Sequence, residues 1–171
     1  NLCLAYLASL DDPQYGELAL HQFKTADNMT DSIGAMQALN DRDGSEREEA
    51  LHLFEERWQA NSLVMDKWFV MQAMSCRRDT LERVTQLMDH PLFSIRNPNK
   101  VRSLIGAFAH SNPINFHRAD GNGYAFVTDR VLELDKLNPQ VASRLVRAFS
   151  RWKKHERIRR RLMQQQLERM V

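Results

Sequence analysis

Four of the chain's five prolines stand directly behind an aspartate or an asparagine: Asp12-Pro13, Asn97-Pro98, Asn112-Pro113 and Asn138-Pro139. Each pair is a helix start. The short polar side chain accepts a hydrogen bond from a free backbone N–H of the first turn, and proline pre-sets φ without wasting a donor. Ser45-Glu-Arg-Glu48 and Asp79-Thr-Leu-Glu82 have the spacing of capping boxes and predict two further starts. Between these marks the apolar residues keep a helical period. Val101, Leu104, Ile105 and Phe108 follow i, i+3, i+4, i+7, and Val141, Leu145, Ala148, Phe149 and Trp152 form a second stripe. No alternating pattern of a half-buried strand competes with them.

The pattern predicts roughly nine or ten helices, at about 1–10, 14–25, 30–40, 46–60, 62–76, 80–89, 98–110, 121–137, 139–150 and 152–169. Short connections between them make neighbours antiparallel. A pair of such helices has about the length of one helical repeat, although no consensus recurs. The expected fold is all-α, a superhelical array of antiparallel helical hairpins of the HEAT/ARM-like kind. The 171 residues suffice for one core, no linker divides them, and a single domain over 1–171 is expected. The longest loop falls at about 111–120.

No run of about 18 apolar residues suggests a membrane span. The chain opens on Asn1 rather than Met, without a basic-then-apolar leader, and is expected to be a processed or excised piece. Cys3 and Cys76 lie far apart and near no histidine at metal spacing, which fits a reduced cytoplasmic protein.

Candidate chemistry is sparse. Asp120-Gly121-Asn122-Gly123 lacks the alternating oxygen ligands of a calcium loop and the Lys-Ser/Thr end of a phosphate loop, and reads as a turn. His52-Leu-Phe-Glu-Glu56 lacks the second histidine that would put two imidazoles on one helix face. His110 and His117 flank a proline-broken loop with no third ligand in view. No metal site and no catalytic constellation is expected in this chain.

Charge is unevenly placed. Residues 1–139 carry 14 Lys/Arg and 20 Asp/Glu, a net −6, whereas residues 140–171 carry 10 and 2, a net +8. Nine of the basic residues fall between Arg144 and Arg161, and run as one helix Arg151, Lys154, Arg157, Arg160 and Arg161 would share a side. Such a face could neutralise nucleic-acid phosphates, but a solvated face or an acidic neighbour explains it equally. Arg102 borders the Val101/Ile105 stripe and Arg144 sits beside Leu145 on an apolar side. An arginine so placed pairs with a carboxylate or turns toward a cavity.

Three blocks carry a family resemblance. They are Asn61-Ser-Leu-Val-Met-Asp-Lys-Trp-Phe69, Asn97-Pro-Asn-Lys-Val-Arg-Ser-Leu-Ile-Gly-Ala-Phe108 and Asn138-Pro-Gln-Val-Ala-Ser-Arg144, with Asp27-Asn-Met-Thr-Asp31 in support. In this order they resemble the C-terminal region of the bacterial aminopeptidase N family, M1-type zinc metallopeptidases. Only the last 20 or so residues diverge. The resemblance implies an all-helical domain that caps the active site and helps form a chamber for short peptides. It also implies a separate catalytic domain that binds zinc through H-E-x-x-H and a distant Glu, and holds the substrate amine with G-x-M-E-N. This chain has neither motif; Gly34-Ala-Met-Gln-Ala38 lacks the Glu and the Asn. By resemblance the chain is no enzyme on its own and has no cofactor, the zinc belonging to the parent's catalytic domain. Its partners are that catalytic domain and peptide substrates, not membranes or nucleic acid. Arg102 and Arg144 are the substrate-binding residues implied, as carriers of a fixed donor fork for carbonyls or a carboxylate. Two other readings stay open: a free-standing helical scaffold that binds proteins, and an RNA-binding domain using residues 144–161.

Overall fold

A computed structural model describes residues 1–10 and 12–171, and among these the chain is helical throughout, with eleven helices and no strand. It separates into two compact units, Asn1–Met71 and Gln72–Val171.

The first unit holds α1 (Leu2–Ala8), α2 (Pro13–Thr25), α3 (Met29–Leu39), α4 (Ser45–Trp58) and most of α5 (Ser62–Ala73). The α2 and α3 helices pair as a hairpin, with α1 packed on both and α4 closing the other side. Asp12 caps α2 by accepting from the Gln14 N–H at 3.0 Å, and Asn28 caps α3 by accepting from Asp31 at 2.9 Å. The aromatic stripe meets inside: Phe23 and Phe54 pack with ring centroids 6.4 Å apart, both buried. The Trp68 indole N–H donates to the Leu51 carbonyl at 3.0 Å, which satisfies its one polar atom in the core. The Arg42 guanidinium donates to the carbonyls of Ala8, Leu10 and Asp12 at 2.6, 2.7 and 2.8 Å. It thereby satisfies acceptors at the end of α1 and the start of α2.

The second unit continues with α6 (Thr80–Leu87). The next helix, α7, is made of Pro98–Val101, a π-helical turn over Arg102–Gly106, and Ala107–Ser111. Then come the single turn α8 (Pro113–Phe116), α9 (Asn122–Asp135), α10 (Pro139–Val146) running into a 3-10 turn Arg147–Phe149, a second 3-10 turn Trp152–Lys154, and α11 (Arg157–Arg169). Helix α9 packs against both α10 and α11. Phe116, Tyr124 and Phe149 form the buried aromatic centre, with the Phe116 ring edge-on to both partners at 5.1 and 5.5 Å.

The four Asx-Pro starts all form, with Asn97, Asn112 and Asn138 accepting from the N–H groups of Asn99, Asn115 and Val141. Other expectations need correction. Ser45 and Asp79 make no capping hydrogen bond: α4 begins behind Gly44, and the Asp79 carboxylate is held by Arg77. The expected loop at 111–120 contains the helical turn α8, because Asn112 caps it and Pro113 fixes its first φ. The expected helix 152–169 is broken. His155 and Glu156 are extended, and the Glu156 carboxylate caps a new helix by accepting from Ile158 and Arg159. Arg151 and Lys154 therefore do not share a helix face with Arg157, Arg160 and Arg161.

Candidate functional site: a cationic cavity in the second unit

Asn97 and Pro98 start α7, and Val101 then points inward, 1% exposed. One residue later the helix widens: the Ala107 N–H reaches the Arg102 carbonyl, five residues back. The turn bulges at Gly106, where an added Cβ would meet the Val101 carbonyl oxygen at 3.6 Å and the Arg102 side chain at 3.7 Å. Such single π-turns cost hydrogen-bond geometry and recur where a surface is shaped for a ligand.

Across from this turn, α10 runs from its Asn138 cap with Ala142 and Leu145 buried. Arg144 follows Val141 by three residues and so lies on the same side of the helix. After Val146 the backbone tightens to a 3-10 turn over Arg147–Phe149, which opens on Arg147, three residues after Arg144.

These elements enclose a cavity of about 500 Å³. Val101, Val141 and Leu145 give it an apolar floor, and Arg102, Arg144, Arg147 and His110 stand around it. No carboxylate lines it. Both arginines singled out from the sequence are thus brought together, although 42 positions separate them. Both are exposed at the cavity rather than salt-bridged: among the described residues neither makes an ion pair, and Arg102 only donates to the Asn99 side-chain oxygen at 3.1 Å. The sequence did not place Arg147 beside these arginines, and it offered His110 only as a loop histidine. The signal for Arg147 was its i, i+3 spacing from Arg144, which puts the two on neighbouring turns of one side.

The two loop histidines part company. His110 borders the cavity, while His117 packs against Tyr124 and His155. The His117 Nδ1 and the Tyr124 hydroxyl share a hydrogen bond of 2.8 Å. Burial, then the nearby His155 and Arg159, pull the His117 imidazole down to about 4, and burial pushes the Tyr124 hydroxyl up to about 12.

No three His, Cys, Asp or Glu side chains converge on a possible metal position among the described residues. His52 merely faces Glu56 at 3.6 Å on an exposed helix surface. Asp120-Gly-Asn-Gly123 is a turn, in which Gly121 takes a left-handed φ of 75° and Asp120 accepts from the Asn122 N–H at 3.0 Å. Cys3 and Cys76 are both exposed. No helix is long and apolar enough to cross a membrane among the described residues.

Residues 1–171 match a family model described as a domain of unknown function, DUF3458_C, of ARM repeats. The chain is 41% identical to Aminopeptidase N of Escherichia coli (strain K12) over 99% of its own length and 20% of that protein's. It is 42% identical to Aminopeptidase N of Caulobacter vibrioides over its full length and 20% of the relative's. Among solved structures, aminopeptidase A of Legionella pneumophila in complex with aspartic acid superposes with a TM-score of 0.92 at 35% identity. That match covers 98% of this chain and 20% of the other. The chain spans about a fifth of the length of the relatives it matches. It belongs to the DUF3458_C family of ARM-repeat domains, and its similarity is to the C-terminal region of bacterial aminopeptidase N.

Proposed function

We propose that residues 1–171 are one non-catalytic C-terminal domain of a zinc aminopeptidase that removes N-terminal residues from peptides. The domain caps the active site and forms part of the substrate chamber. The observation that carries this reading is full-chain similarity to aminopeptidases of which the chain covers only a fifth. The cavity beneath Arg102 and Arg144 adds a physical role. A guanidinium presents a planar fork of donors that holds a carbonyl or carboxylate in one orientation. Arg102 and Arg144 would bind the peptide beyond its cleaved bond and orient it. They would contribute positioning and positive potential, and no proton transfer. Zinc, and with it the activation of water, belongs to the catalytic domain of the same polypeptide. The cytoplasm is the compartment that suits a chain with only two cysteines, far apart in sequence.

An RNA-binding role for residues 144–161 is the weaker reading. The helix is broken at His155, Phe149 is fully buried, and the Trp152 ring is covered by the Lys153 ammonium at 5.4 Å. Phe149 is thus withdrawn from base stacking, the sequence-tolerant contact on which single-strand binding relies, and one face of Trp152 is taken by a cation. A free-standing scaffold is the other alternative.

Reading the gene upstream of Asn1 tests the proposal. An open frame of several hundred codons containing H-E-x-x-H and its distant Glu supports it. A start codon immediately before Asn1 overturns it in favour of the scaffold.

A further inference from the structure

The cavity holds more positive charge than binding a peptide backbone requires. Two guanidiniums suffice to hold one carboxylate or a pair of carbonyls. Here a third, Arg147, lines the same cavity three residues after Arg144, and like Arg144 it has no ion pair among the described residues. Ser150 and His110 add hydrogen-bonding groups on the same rim. Like charges gathered over an apolar floor repel one another, and an anion entering between them removes that repulsion and gains attraction. A peptide that ends in a neutral residue brings one carboxylate. A peptide that ends in Asp or Glu brings two, a few ångströms apart, and so matches three guanidiniums better than one carboxylate can.

We infer that Arg147 is a specificity-determining residue that makes this cavity select short peptides carrying an acidic side chain at the end lodged in it. This rests on the chamber role proposed above for Arg102 and Arg144. Arg147 acts on the far end of the peptide, apart from the bond being cleaved. Its contribution is therefore to kcat/KM for acidic peptides relative to basic ones, and a site open to solvent sets the size of the effect at about tenfold.

The test uses the whole enzyme and three tripeptides, Ala-Ala-Glu, Ala-Ala-Gln and Ala-Ala-Lys. The parent enzyme is expected to favour the Glu peptide over the Lys peptide about tenfold in kcat/KM. Arg147→Gln should bring that ratio near unity, Arg147→Glu should invert it, and Arg147→Lys should keep most of it. A ratio that Arg147→Gln and Arg147→Glu leave unchanged, or a loss shared equally by all three peptides, overturns the inference. Arg144→Ala separates the two levels. If it weakens all three peptides while the Arg147 variants leave the ratio alone, the chamber role stands and the selectivity role falls. If Arg144→Ala also changes nothing, both fall.

Discussion

The imidazole rings of His117 and His155 lie against each other with centroids 4.3 Å apart, at a tilt of 36°. His117 sits at the end of α8 and His155 at the break before α11, so the pair fastens the last helix to the 111–120 segment. The Arg159 guanidinium strengthens the joint by donating to the His117 carbonyl at 2.7 Å.

Three polar groups face His117: Tyr124 through its hydroxyl, His155 by stacking, and Arg159 as a cation. The folded chain holds His117 at about 4 against an ordinary 6.5, so the unfolded chain binds the proton more readily. Stability from this group is therefore fully present above pH 6.5 and is lost as pH falls from there toward 4. Partial exposure limits the loss to about 1–2 kcal/mol. Urea unfolding at pH 7.5 and pH 5 should show a drop that is smaller by this amount in His117→Asn. Equal drops in the two proteins would contradict the assignment.

Two glycines should respond oppositely to alanine. A Cβ on Gly123 would lie 2.4 Å from the Asn115 carbonyl oxygen and 2.6 Å from that of Phe116, both rigid backbone at the α8–α9 junction. Gly123→Ala should cost about 3 kcal/mol in a denaturant titration. At Gly106 the same atom would find only ordinary contacts, the nearest at 3.6 Å. Gly106→Ala should be neutral or stabilise by up to about 1 kcal/mol, since it restricts the unfolded chain and favours helix.

Asn112 does two jobs with one buried amide. Its oxygen caps α8 by accepting from the Asn115 N–H at 3.1 Å, and its nitrogen donates to the carbonyls of Ala73 and Ser75 at 3.0 and 2.7 Å. Asn112→Ala should destabilise by about 2–4 kcal/mol, from the lost cap and the buried acceptors left behind. Asn112→Asp keeps the cap but cannot donate, and should recover less than half of that loss. Full recovery in Asp would show that the cap alone matters.

What the sequence made legible was local. A capping asparagine ahead of a proline acts within three residues, so all four such starts could be read and all four form. The apolar stripes gave the core of α7 and α10 for the same reason. What stayed hidden depends on partners far along the chain or on small backbone adjustments. Asp79 has the spacing of a cap, yet Arg77 holds its carboxylate, a competition that spacing does not reveal. The π-turn at Arg102–Gly106 and the 3-10 turn at Arg147–Phe149 shift backbone hydrogen bonds by one residue without any special residue type. Residues of both turns, Arg102 and Gly106 from the first and Arg147 from the second, line the cavity. Arg102 and Arg144 stood out because each borders an apolar stripe, where an arginine needs a carboxylate or a cavity, while a substrate-binding role for them came only from the family resemblance.

The central claim is that this domain helps hold peptides for a catalytic centre outside it. Steady-state kinetics of the whole enzyme carrying Arg102→Ala or Arg144→Ala, measured on tripeptides with zinc content determined in parallel, tests it most directly. The account predicts a fall in kcat/KM of about tenfold or more, through a raised KM or a lowered kcat, with zinc fully retained. Unchanged kinetics in both variants would contradict it.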